Sequence, residues 1–378
     1  MPATVNSCRK NISMERFTER DKFFMRTALE CADRVKGYTF PNPAVGAVLV
    51  KKNKIVGKGA TAPWGGDHAE VQAIKAAGSN AGKSTLYLTL EPCCHFGKTP
   101  PCTDAVIGAG IAKVYIGIQD PNPLVNGKGI KKLRGAEISV RTGLLKDDVR
   151  KHHEAYCWWI QKKTPWVALK MALTLDGRIA DKLSNSQWIT SKESRTRVHD
   201  LRRQHAGIAV GAGTFKVDNP RLTVRHGKGK NPVRFIFTSS QNLPIHKAFL
   251  DDLESVRSIM VISGDRPREK KRLKSGVEVW HTGAADYKKS MRAFFSMAYD
   301  EHITSILFEG GAKIASFLME NHLVNRLYLF YGNKIVGGGP CAMQFEKGLN
   351  INTCYCLADL EIRQLKDNIF VTGIPNWK

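Results

Sequence analysis

Two short segments constrain this chain more than any other part of it. They are Asp67-His68-Ala69-Glu70 and Glu91-Pro92-Cys93-Cys94-His95-Phe96-Gly97-Lys98-Thr99-Pro100-Pro101-Cys102. One imidazole and two thiolates suit a catalytic zinc whose fourth position stays open for water. Glu70 is not needed as a ligand and can carry the proton that such a water loses. His68 to Ile74 reads as the opening of a helix, with His68 and Glu70 in its first turn. Thr85 to Leu90 reads as a strand that delivers Cys93. Thr103 to Ile107 reads as the first turns of another helix, with Pro101 where a helix can begin. A chain with these features must therefore bring two helix starts and a strand end to one point. Cys94 or His95 could replace Cys93 as ligand, but Cys93 is the one that follows the proline.

A His-x-Glu, then Pro-Cys and a second Cys, is the signature of zinc-dependent base deaminases, usually with two residues between the cysteines. Here eight separate Cys93 from Cys102. That longer loop, Pro-Cys-x-His-x-Gly-Lys-Thr-Pro-Pro-Cys, resembles the one carried by the bifunctional riboflavin-biosynthesis deaminase/reductase family, and His95 to Cys102 match it position by position. The resemblance implies that Asn42, on the loop Pro41-Asn42-Pro43, lines the deaminase pocket. It also implies that Asp120 to Gly129 forms a second substrate loop. Related sequences often carry a further His near Thr61 to Trp64, and this chain has none.

The net charge of +24 invites a nucleic-acid reading. The excess is diffuse, however. Residues 1–150 hold 23 basic and 13 acidic residues, and the remainder 35 and 21. No basic arm or aromatic-interleaved basic stripe appears, and Arg266 to Lys274 reads as solvated helix faces. A diffuse positive field suits a phosphorylated small substrate and a phosphorylated nicotinamide cofactor better than nucleic acid. No apolar run is long enough to cross a membrane. The polar start lacks an apolar signal region, so the cytoplasm is the expected compartment. Of nine cysteines, two are accounted for by metal and the rest show no framework spacing.

The length of 378 residues favours two cores. Residues 1–15 read as a mobile tail. From 16 to 163, strands and helices alternate, as expected of a three-layer α/β domain. Asp147 to Lys163 reads as one helix, with Tyr156, Trp158 and Trp159 packing between the domains. Thr164-Pro165 marks a boundary, and residues 164–378 form the second domain. Its strands are expected at 165–172, 208–211, 232–237, 258–262, 305–308, 326–331 and 369–371. A Gly-rich turn stands before a helix at 313–320, a place suited to an anion.

The second half carries Leu175-Asp176-Gly177-Arg178, Ser186-Gln187-Trp188-Ile189-Thr190, Gly211-Ala212-Gly213-Thr214 with Asp218-Asn219-Pro220-Arg221-Leu222-Thr223-Val224-Arg225, and Glu309-Gly310-Gly311. These match the reductase half of the same family. The resemblance thus covers about residues 16–378. It implies a cytidine-deaminase-like domain followed by a dihydrofolate-reductase-like domain that uses NADPH. On the precursor, a diamino-pyrimidinone ribosylamine phosphate, an amine would be replaced by water, and the ribosyl group then reduced to ribityl. The resemblance assigns the metal to His68, Cys93 and Cys102 and the proton shuttle to Glu70. It assigns cofactor contact to Ala172, Trp188, Thr214, Asp218, Ser240 and the turn Gly311, Ala312, Lys313, Ile314, Ala315, Ser316 and Phe317. Substrate contact falls to Asn42, Ser186, Arg202, Leu222, Arg225 and Glu309, with Arg202 and Arg225 expected on the phosphate. A homo-oligomer joined through the reductase halves is also implied. Two other readings compete: a deaminase with a silent second half, and a deaminase or binding module acting on nucleic acid.

Overall fold

The computed structural model describes residues 17–225, 229–245 and 247–377. The expected tail over 1–15 lies outside them. Helix α1 (Glu19–Val35) starts at a capping box: Thr18 Oγ1 accepts from the Asp21 amide at 3.1 Å, and Asp21 Oδ2 accepts from the Thr18 amide at 2.9 Å. Its buried Phe24, Met25, Ala28 and Ala32 recur at helical spacing. Strands β1 (Gly46–Lys51) and β2 (Lys54–Ala60) form a hairpin. Then follow α2 (Ala69–Ala77), β3 (Thr85–Leu90), α3 (Cys102–Gly108), β4 (Lys113–Ile118), α4 (Lys128–Gly135) and β5 (Ser139–Thr142).

The five strands stand in the order β2-β1-β3-β4-β5, antiparallel across the first three and parallel across the last three. The central strands β1, β3 and β4 are almost wholly buried and mostly apolar because both of their faces are covered, whereas the outer strands β2 and β5 are partly exposed. Helix α5 (Lys146–His152) packs with α1, and α2, α3 and α4 contact one another in series, which gives the expected three layers. A fully buried core side chain such as Met25 or Leu88 contributes about 1.5–3 kcal/mol here.

Helix α6 (Glu154–Lys162) follows α5 after a break at His153. A single helix over Asp147 to Lys163 is thus corrected. His153 is buried, and its Nε2 sits 3.1 Å from Thr89 Oγ1, so the side chain is drawn into the sheet and the chain turns there.

The second sheet contains β6 (Trp166–Leu173), β7 (Gly207–Gly211), β8 (Val233–Thr238), β9 (Ser258–Ile262), β10 (Glu269–Arg272), β11 (Glu278–His281), β12 (Ser305–Glu309), β13 (Arg326–Tyr331), β14 (Cys356–Leu365) and β15 (Asn368–Asn376). Helices α7 (Lys192–Gln204), α8 (Ala212–Asp218), α9 (Lys247–Leu250), α10 (Tyr287–Asp300) and α11 (Ala312–Glu320) connect them. The strand order is β10-β11-β9-β8-β7-β12-β6-β13-β15-β14. Its centre is parallel from β11 to β13, and both margins are antiparallel. Ligands of such sheets gather outside the carboxyl ends of the parallel strands.

Arg266 to Lys274 is not a helix face, as its charge pattern suggested, but contains edge strand β10. Lys270 lies 4.7 Å from the Trp280 ring centre and pairs with Glu301 at 2.6 Å. Charged side chains on an edge also resist pairing with other chains. No helix among the described residues is long and apolar enough to cross a membrane.

Candidate active sites

His68 is the N-cap of α2 in extended conformation, and Glu70 lies in the first turn beyond it. Cys102 opens α3 after Pro101. Cys93 comes off the end of β3, and its Sγ accepts the Cys102 amide N–H at 3.3 Å. His68 Nδ1 stands 3.1 Å from Cys102 Sγ and 3.6 Å from Cys93 Sγ. The three donor atoms lie within 4.8 Å of one another. Cys94 instead points its thiol at the Leu124 carbonyl, and His95 stays outside the cluster. One imidazole and two sulfurs on one wall of a cavity, with a carboxylate beside them, fit a zinc that keeps a free position.

The electrostatics agree with that donor set. A hydrogen bond with Cys102 and then one with His68 pull the Cys93 thiol down, while the Cys102 thiol is driven up by the same contact. The bond to Cys93 also raises His68. Burial, helped by the charge of Cys93, pushes Glu70 up to about 7. A carboxyl poised there can both take and return a proton near neutral pH.

The cavity measures about 200 Å³. Asn42, Thr61, Glu91, Asp120, Asn122 and Tyr156 are among its other polar walls, and Lys98 is the only Lys or Arg among its lining residues. Lys98 Nζ sits 3.3 Å from the centre of the Trp64 ring. Thr61 is spent on the backbone, its hydroxyl accepting the Val45 N–H at 3.0 Å. The loop expected to follow β4 is held by Glu91, whose carboxylate accepts from the amides of Asp120, Gly127 and Ile130 at 3.0–3.2 Å. Gly129 is required there, since a Cβ would meet the Pro92 carbonyl at 2.2 Å. Burial pushes the Asp120 carboxyl up to about 6, although its bonds with the Asn122 amide and the Tyr156 hydroxyl oppose the rise. Sequence reasoning missed Glu91 and Tyr156. A buried acid at a strand end just before Pro-Cys was the available signal for the first.

The second group of expected residues collects at the carboxyl ends of β6, β7, β8 and β12. Ser186 Oγ donates to Asp218 Oδ1 at 3.0 Å. Trp188 is well exposed, with the Arg195 guanidinium 4.3 Å from its ring centre. Thr214 on α8 faces Gly311, where φ is +80° and a Cβ would lie 2.7 Å from Thr214 Oγ1. A close backbone approach of this kind, at the start of α11, is chemically suited to an anion. Ala172 is half-buried near the end of β6, and Ser240 lies exposed in the turn after β8.

The placement of three sets of expected residues bears on how they could meet a ligand. Arg202 does not offer its fork to a phosphate: Nε meets Glu309 Oε1 at 2.6 Å, Nη2 meets Oε2 at 2.9 Å, and Nη1 donates to the Thr223 carbonyl. Burying a guanidinium demands such pairing. Leu222 has φ +55° and a side chain sunk in the core, so only its backbone can face a ligand. Within 311–317, Ile314, Ala315 and Ser316 are buried, and Phe317 packs on Tyr287, which leaves Gly311, Ala312 and Lys313 open.

Arg225 is exposed, and among the described residues no carboxylate pairs with its guanidinium. Partial desolvation of the guanidinium, then the charges of Arg202 and Arg221, lower its pKa. Sequence reasoning also missed Lys170, whose Nζ lies 4.0 Å from Glu309 Oε2 and which is in register with Glu309 across β6 and β12.

Residues 18–118 match the cytidine and deoxycytidylate deaminase zinc-binding region, and residues 165–371 match the RibD C-terminal domain. The riboflavin biosynthesis protein RibD of Aquifex aeolicus is 38% identical over 354 residues, covering 93% of this chain and 94% of its own. RibD of Bacillus amyloliquefaciens is 38% identical over 359 residues, covering 94% and 96%. Among solved structures, a diaminohydroxyphosphoribosylaminopyrimidine deaminase/5-amino-6-(5-phosphoribosylamino)uracil reductase from Thermotoga maritima superposes with a TM-score of 0.82. It is 36% identical and covers 95% of this chain and 99% of its own.

Proposed function

Since this chain belongs to the RibD family of bifunctional deaminase/reductases of riboflavin biosynthesis, we propose which of its residues carry each step. Residues 16–163 form the deaminase unit and 164–378 the reductase unit, a division supported by the strands of the two sheets falling on either side of Thr164.

The observation that carries the deaminase assignment is the meeting of His68, Cys93 and Cys102 beside the buried Glu70 carboxyl. Zinc held by that triad supplies activation of a water at neutral pH. Glu70 receives the proton released by the attacking water and delivers it to the departing amine. Asn42 and Asp120 hold the hydrogen-bonding edge of the pyrimidine, and Lys98 at the mouth meets the phosphate of the substrate.

In the reductase unit NADPH supplies the hydride. Ala172, Trp188, Thr214, Asp218, Ser240 and the open start of α11 at Gly311, Ala312 and Lys313 hold the cofactor. Ser186 and the backbone of Leu222 line the sugar, and Arg225 meets the phosphate. Glu309 stays ionised against Arg202 and Lys170, giving the ribosyl chain a fixed acceptor. Assembly of copies is supported by the exposed outer strand β14, which carries Leu360 and Ile362 in open positions. The cytoplasm is the proposed setting.

The test is the mass of the product formed from the diamino-pyrimidinone phosphate by zinc-loaded enzyme, without and then with NADPH. Deaminated product without cofactor, and deaminated, reduced product with it, are expected. Deamination in both tubes with no reduction would remove the reductase assignment.

A further inference from the structure

Helix α6 touches both sites' frameworks at once. On one face, the Tyr156 hydroxyl donates to Asp120 at 3.1 Å from Oδ1 and 3.3 Å from Oδ2, and both residues line the first cavity. Two residues earlier, Glu154 takes a two-pronged bond from Arg326 on β13 of the second sheet, at 2.9 Å from Nε and 2.7 Å from Nη2. Arg326 is almost wholly buried and also reaches Asp359 on β14 at 2.9 Å. Lys151 on α5 pairs with Asp359 and Glu361. The far end of α6 sets Trp158 edge-on against Trp166, and Trp159 against Tyr299.

We propose that Tyr156 is a positioning residue of the deaminase site, and that its place is set from the reductase half by the Arg326–Glu154 fork. This rests on the deaminase reading of the first cavity. The argument is geometric. Asp120 is tied by the Asn122 amide on Oδ1 alone at 2.8 Å, which leaves its carboxylate free to rotate about that bond. The phenol spans both oxygens and fixes the plane that faces the substrate. A phenol can do this only if its helix does not slide or roll. A bidentate guanidinium–carboxylate bond fixes orientation as well as distance. Glu154 and Tyr156 are two residues apart on a short helix, so displacement at one is felt at the other.

The test uses the full chain, zinc-loaded, with ammonia release and NADPH oxidation measured separately. Tyr156→Phe removes one hydroxyl. It is expected to raise the deaminase KM about ten-fold, with kcat within two-fold, zinc content unchanged and the reductase KM unchanged. Arg326→Lys keeps the charge but loses the fork. It should raise the deaminase KM about three-fold in the parent chain and have no further effect in the Tyr156→Phe background. Glu154→Gln should behave as Arg326→Lys does. Equal Arg326→Lys effects in the two backgrounds would overturn the proposal, as would a deaminase KM untouched by Tyr156→Phe. Matching losses in both activities would mark the fork as general scaffolding and overturn it too. If the parent chain releases no ammonia, the deaminase reading itself has failed, which is a distinct result.

Discussion

Two buried glutamates sit at the centres of the two sites, and their surroundings drive them in opposite directions. Glu70 stands beside Cys93, Cys102 and His68, and burial carries it up to about 7 although His68 opposes the rise. Burial also pushes Glu309 up, but Arg202 and Lys170 outweigh it and hold the carboxyl down at about 2. The same side chain is thus poised to exchange a proton near neutral pH in one place and held as an anion in the other. This matches the chemistry. Hydrolytic deamination must move protons between water and amine, whereas hydride delivery needs a fixed field and alignment.

The sharpest way to break this contrast is Glu70→Gln. Ammonia release is expected to fall by roughly 10²–10⁴, the usual worth of a positioned general acid–base group. Zinc content and NADPH-dependent reduction of the deaminated substrate should persist. A zinc-loaded variant with parental ammonia release would remove Glu70 from the proton path.

Next in size is the Arg202–Glu309 pair. Arg202→Met leaves Glu309 buried with Lys170 as its remaining cation, and breaking such a pair costs about 3–5 kcal/mol. The loss should appear in the urea transition of the reductase half while ammonia release is retained. Because the folded pKa of Glu309 lies below its ordinary 4.5, its contribution is fully present above that value and disappears as pH falls through about 2. A loss under 1 kcal/mol would show that solvent reaches the pair.

His205 tests the same half with the opposite sign of charge. Burial, helped by the charge of Lys36, lowers its pKa to about 4, while its Nδ1 donates to the Leu201 carbonyl at 2.7 Å. Between pH 6.5 and 4 the unfolded chain binds a proton that the folded chain refuses, so stability falls as pH falls across that window. The full effect is about 3 kcal/mol at 1.36 kcal/mol per pH unit. His205→Gln should flatten this acid limb. An unchanged slope would place the titration elsewhere.

The two sites also differ in how much of them the sequence discloses. The first was legible because metal chemistry demands particular residue types at short spacing, and His68, Glu70, Cys93 and Cys102 fall within 35 residues. Its supporting residues were less so: Tyr156 reads as one aromatic among three on a helix, and only folding sets it beside Asp120. The second site spans Ala172 to Phe317, and backbone forms much of it. Leu222 shows the cost, since nothing in the motif tells a side-chain contact from a main-chain one. For Arg202 the sequence suggests a phosphate partner and does not reveal the pairing with Glu309, which arrives from a strand 107 residues later. The sheet centres were readable as apolar runs. The charged edge strand β10 was not, because its stability comes from Trp280 and Glu301 on other elements.

Arg225 is the smallest and most discriminating case. With Arg202 committed to Glu309 and Arg221 to Asp252, Arg225 is the arginine of this cluster left for an anion among the described residues. A charge-assisted hydrogen bond to phosphate is worth about 1.5–3 kcal/mol, so Arg225→Ala should raise the reductase KM at least ten-fold. NADPH affinity and kcat should stay within two-fold, because the proposed contact is with the substrate phosphate and not the nicotinamide. Deaminase kinetics should not move at all. Raising ionic strength should shrink the gap between parent and variant, since an exposed ion pair is screened. A KM unchanged by the substitution would return the phosphate to Arg202, and with it the requirement that the Arg202–Glu309 fork open when substrate enters.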